Sequence, residues 1–117
     1  MTATLDSFAS ETMLTDVEQT LTSTNSVEKK FLGMATVTNT STAPVEITVW
    51  RIATGSIGTE GVGGNWSIVK IVAAKQTERL DKILGQVLGN GMKVSALASV
   101  AGVVNIDLSG TTETPDE

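Results

Sequence analysis

Few residues in this chain have side chains that could do chemistry. Glu78 and Asp81 lie close enough in sequence to share a proton or hold a hard cation. Lys75, Arg79 and Lys82 surround them, and no Asp-x-Asp-x-Asp spacing supports a cation loop, so the segment reads as a solvated charged patch. The stretch Gly55-Ser-Ile-Gly-Thr-Glu-Gly-Val-Gly-Gly64 could offer backbone N–H groups to a phosphate. A phosphate loop needs Gly-Lys-Ser/Thr entering a helix, whereas Asn65-Trp66 here enters a strand-like run. The stretch therefore reads as an inter-strand loop at one end of a sandwich. Asn39-Thr-Ser41 and Asn65-Trp-Ser67 match the glycosylation triplet. The first residues lack the basic-then-apolar pattern of a secretory leader, so both triplets read as turn chemistry.

Histidine, cysteine and tyrosine are absent from the 117 residues. This removes the commonest general base, the commonest transition-metal ligand, thiolate metal sites and every Ser-His or Cys-His pair. The expectation is a chain that is no enzyme and carries no cofactor or metal. Eight basic residues against thirteen acidic ones give a net charge of −5, which speaks against a nucleic-acid partner. No apolar run is long enough for a membrane helix, so no membrane partner is expected. What remains is a binding or structural module, and the length suits one domain.

Threonine and valine are abundant, and stiff β-branched side chains favour a pleated surface. Val45, Ile47 and Val49 alternate with Glu46 and Thr48; Val104, Ile106 and Leu108 alternate with Asn105 and Asp107. Both runs predict strands with one buried face. Trp66-Ser-Ile-Val-Lys-Ile-Val-Ala-Ala74 is nearly continuous and reads as a strand covered on both faces, with Lys70 needing an edge or exit route. Asn39–Pro44 reads as a turn, and Gly89-Asn90-Gly91 as a hairpin between Gln86–Leu88 and Met92–Ala98. Thr77–Leu84 admits two readings. One is a short helix with Leu80, Ile83 and Leu84 on one side and Thr77 as cap; the other is a strand or bend closed by Gly85.

The expected architecture is all-β: an immunoglobulin-like or jelly-roll antiparallel β-sandwich over residues 15–110. An extended N-terminal arm (1–14) and a short acidic, polar C-terminal tail (111–117) flank it, the tail expected to fray. Asp6, Glu11, Asp16, Glu18 and Glu28 precede the first basic residue, and Asp107, Glu113, Asp116 and Glu117 follow the last. Acidic ends could therefore lie against a basic surface, on the same subunit or a neighbour. The interface candidates are Leu5 and Phe8 on the arm, Trp50 and Arg51 on a strand, and the cations Lys75 and Arg79. Trp50 has a competing role in the core.

The stretch Thr36-Val-Thr-Asn-Thr-Ser-Thr-Ala-Pro-Val-Glu-Ile-Thr-Val-Trp50 resembles small virion proteins of tailed bacteriophages. The similarity continues through Ile71–Leu80, Gln86–Ala96 and Ser99–Gly110, covering about residues 30–110. Asn90-Gly91-Met92 departs from the "Leu-x-x-Gly-Asp" hairpin of such proteins. The resemblance implies a sandwich in a virion assembled in the host cytoplasm, and supplies no functional residues. The expected role is a capsid decoration or cement protein, a homo-oligomer partnered by the major capsid protein or other virion proteins. The alternative is a collar, tail or fibre-associated adhesion module that touches the host through the Gly55–Gly64 and Asn39–Pro44 loops.

Overall fold

The computed structural model describes residues 2–25, 27–52, 66–89 and 91–114. Among the described residues nine strands run in chain order: β1 (Thr2–Met13), β2 (Gln19–Ser23), β3 (Lys29–Asn39), β4 (Val45–Ile52), β5 (Trp66–Val72), β6 (Thr77–Arg79), β7 (Val87–Gly89), β8 (Lys93–Ala98) and β9 (Val104–Thr114). They form two antiparallel sheets packed face to face, a β-sandwich. The first has the order β1-β9-β3-β6, with β7 also on β3; the second has the order β2-β8-β4-β5.

Period-two alternation sets the core. Val45, Ile47 and Val49 of β4 and Val94, Ala96 and Ala98 of β8 face inward from the second sheet, all buried. Val104, Ile106 and Leu108 meet them from the first sheet. Burying each of the larger aliphatics is worth roughly 1.5–3 kcal/mol. A bulge at Gly33 reverses the alternation of β3, so Leu32 rather than Phe31 joins Ala35 and Val37 in the core.

Polar ties close the sandwich edges. Lys70 faces inward on edge strand β5 and exits to Glu78 of β6, 3.6 Å away. Arg51 Nη1 donates to Gln86 Oε1 across the sheets at 2.9 Å. Lys30 Nζ donates to Thr22 Oγ1 and to the Ser23 carbonyl, both at 2.7 Å, and lies 5.1 Å from the Phe8 ring centre.

Several elements differ from expectation. The N-terminal segment forms β1, and Thr111–Thr114 do not fray but continue β9. Their polar composition is offset by a partner on each side: Thr112 lies opposite Thr4 of β1 and Lys30 of β3. The described parts of the two ends thus lie against each other, with the Lys29–Lys30 segment of β3 beside them and Glu113 opposite Lys29; residues 115–117 of the expected tail lie outside the described residues. β5 is an edge strand with Val69 and Ile71 mostly exposed, so it is not covered on both faces. Gly91 has φ +82 and Met92 N–H bonds to the Gly89 carbonyl, giving a turn. The strands it joins enter different sheets, so the expected hairpin does not form; β3 has free backbone beyond β6 and takes β7. Thr77–Leu84 becomes the three-residue β6 followed by a single 3-10 turn, Asp81–Ile83.

Candidate interaction surface

Directly opposed residues in antiparallel strands share a face. Leu5, Thr111, Phe31 and Val87 therefore form one row across β1, β9, β3 and β7, on the outer face of the first sheet. Ser7, Ser109 and Met34 form the neighbouring row. Leu5 is 86% exposed, Met34 45% and Val87 41%. Between the rows, Gly33 and Gly110 lower the floor to leave an open groove of about 490 Å³, flanked by Leu5 and Met34.

Two glycines meet there for a geometric reason. A Cβ on Gly110 would stand 1.8 Å from the Phe31 carbonyl oxygen and 2.9 Å from the Gly33 nitrogen. The bulged backbone of β3 occupies the space a side chain would need. Loss of side chains at this point shapes the groove and sets Phe31 and Met34 on its side of the sheet.

The second sheet has its own outer row, Leu97, Thr48 and Val69, beside a row of Ser95, Trp50 and Ser67. Val69 and Ile71 are 59% and 64% exposed, while Trp50 is half-buried. Ser95 is buried in this face and donates its hydroxyl to Glu18 Oε2 at 2.6 Å.

The six residues singled out from sequence do not gather in one place. Leu5 stands in the outer row of the first sheet. Phe8, on the same strand, packs against the core with Lys30 over its ring. Trp50 lies on the opposite sheet, and Arg51 reaches inward to Gln86. Lys75, at φ +60 in the β5–β6 turn, donates to the Thr40 carbonyl at 2.6 Å. Arg79 pairs with Asp81 on the surface. Both cations sit by a cleft or turn at the β5–β6 edge; Arg79, Asp81, Lys70 and Lys82 line a cleft of about 320 Å³. Met34, Phe31 and Val87 were absent from the sequence-based candidates. The signal for Met34 and Phe31 was Gly33 inside a strand, which marks a bulge.

The Asn39–Pro44 turn is fixed from within. Asn39 is fully buried; its Nδ2 donates to the carbonyls of Ala43 (2.8 Å) and Val72 (3.0 Å). Its Oδ1 accepts from the Ser41 N–H (2.9 Å) and hydroxyl (2.8 Å). All four hydrogen-bonding positions of the amide are used. The triplet at Asn39 is turn chemistry, as its sequence suggests. The Gly55–Gly64 stretch and Asn65 lie outside the described residues. Among the described residues, no three acidic side chains gather to hold a metal.

No family model matches the chain, and no curated protein or solved structure matches it.

Proposed function

We propose that this chain is a structural protein of a tailed-phage virion, a capsid decoration or cement protein that acts by contact with other protein surfaces and performs no chemistry. The observation that carries this reading is the outer face of the first sheet: Leu5 and Met34 flank a groove floored by glycine, and Phe31 and Val87 continue the row of Leu5 beyond it. Large apolar side chains exposed together on one face, here Leu5, Met34 and Val87, support an interaction site. The Thr36–Trp50 resemblance directs the partner choice towards the major capsid protein or another virion protein. On a lattice, weak contacts multiplied over many copies give avidity that one contact lacks.

The test is re-addition. Purified chain is mixed with phage heads that lack it and co-sedimented. Wild-type protein is expected to bind, and Met34→Lys to bind much more weakly while keeping its circular dichroism spectrum. Equal binding by the variant would remove the outer face from the reading; absence of wild-type binding would remove the head as its target.

A further inference from the structure

β1 is the edge of the first sheet: among the described residues it pairs with β9 alone. Proteins blunt such edges with bulges, charges and proline, because unpaired N–H and C=O groups invite another strand. In β1 those devices are unevenly placed. The register shifts fall between Ser7 and Ala9 and between Ala9 and Thr12, and Glu11 has φ +46. From Thr2 to Ser7 the strand pairs with β9 without interruption, has no proline or basic residue, and has Asp6 as its one charge. Leu5 stands 86% exposed in the middle of this stretch.

We propose that two copies of this chain join through this half of β1, antiparallel about a two-fold axis at Leu5, into one continuous sheet. The choice of a second copy follows from the side chains. A continuous sheet keeps outward residues opposite outward residues, so only registers that pair odd with odd and even with even positions are allowed. Centring on Asp6 would set two carboxylates face to face. Centring on Leu5 sets Leu5 against its own copy, Thr4 against the second copy's Asp6, and Ala3 against the second copy's Ser7. Each Asp6 then accepts a hydrogen bond from a threonine hydroxyl, and the most exposed apolar side chain of the strand is covered. The outer row Val87–Phe31–Thr111–Leu5 also runs on unbroken into the row of the second copy. Such an isologous contact closes on itself and ends at a dimer.

This gives a geometry to the homo-oligomer expected from the sequence and does not depend on the virion. The chain has no cysteine, so one introduced cysteine reports one position. Opposed Cβ atoms in an antiparallel pair lie about 4.5–5.5 Å apart, next to the roughly 3.5–4.5 Å that a disulfide spans. Full-length Leu5→Cys is compared with Val100→Cys, which is 49% exposed in the turn before β9. Sedimentation of the wild-type chain is expected to show a dimer, and Leu5→Lys a shift to monomer without loss of the β-sheet spectrum. Mild oxidation is expected to give a disulfide-linked dimer of Leu5→Cys at least about tenfold faster than of Val100→Cys. A wild-type monomer at all accessible concentrations would overturn the proposal. So would a dimer in which the two cysteines cross-link at equal rates. Neither result bears on head binding, which the re-addition experiment decides separately.

Discussion

The bulge at Gly33 and Gly110 makes a prediction with two signs. Both are glycines outside the left-handed region, so alanine could adopt either backbone conformation. Alanine also narrows the unfolded ensemble, which stabilises the fold by about 0.4–1 kcal/mol where nothing opposes it. At Gly33 the nearest atoms to an added Cβ are at 3.7 and 3.9 Å, ordinary contact distances. At Gly110 the Phe31 oxygen is at 1.8 Å and belongs to the backbone, which has no rotamer by which to retreat. Strand β3 or β9 would have to move by more than 1 Å, and forcing extra volume into packed structure costs about 1–3 kcal/mol, occasionally more. The steric term exceeds the entropic one. Gly110→Ala is therefore expected to lose about 2 kcal/mol and Gly33→Ala to be neutral or gain up to about 1 kcal/mol. Urea unfolding followed by tryptophan fluorescence reads both. With an m-value of about 1–1.5 kcal/mol/M, the Gly110→Ala midpoint should fall by roughly 1.3–2 M at unchanged slope. A neutral Gly110→Ala, or equal losses at both positions, would refute the close approach of β3 and β9.

The remaining predictions use the same unfolding assay. Asn39→Asp is expected to cost more than about 3 kcal/mol, because a buried carboxylate would face two carbonyl oxygens that now receive amide protons; a loss below 1 kcal/mol would contradict the turn. Lys30→Met should lose about 1–2 kcal/mol through its bonds to Thr22 and Ser23 and its place over Phe8, with the loss read from the urea midpoint. Ile106→Ala should lose about 2–5 kcal/mol, while Ile71→Ala should stay within about 0.5 kcal/mol. Similar losses for these two isoleucines would invert the assigned faces of the sheets.

Local pattern made part of this fold readable and long-range pairing hid the rest. The inward faces of β4 and β9 follow from the alternation of Val45, Ile47, Val49 and of Val104, Ile106, Leu108. The sheet to which each strand belongs does not follow from alternation. Gly89–Gly91 has the residues of a tight turn, yet its flanking strands part because β3 and β4 offer separate edges. The Trp66–Val72 run looks doubly covered because an exposed valine or isoleucine leaves the same trace in sequence as a buried one. Thr111–Thr114 look like a loose tail because their order comes from β1 and β3, more than 70 residues away.

The surface was legible in the same uneven way. Leu5 reads as an apolar residue with nothing local to cover it, and it is exposed. Phe8, Arg51 and Lys75, interface candidates from the sequence, each have an intrachain partner that the sequence does not reveal: Lys30, Gln86 and the Thr40 carbonyl. Met34 and Phe31 are hidden because a single bulge at Gly33 moves Phe31 off the core face, and period-two counting does not register a bulge; Val87 is hidden because it joins their face only through the long-range pairing of β7 with β3.

In the role proposed above, this sandwich serves by adhering to other proteins in an assembled particle. The proposed virion role is read out by quantitative mass spectrometry of purified, washed particles. The expected result is a copy number in proportion to the major capsid protein. A number fitting a single ring would move the chain to a collar or tail, and its absence from washed particles would contradict the claim.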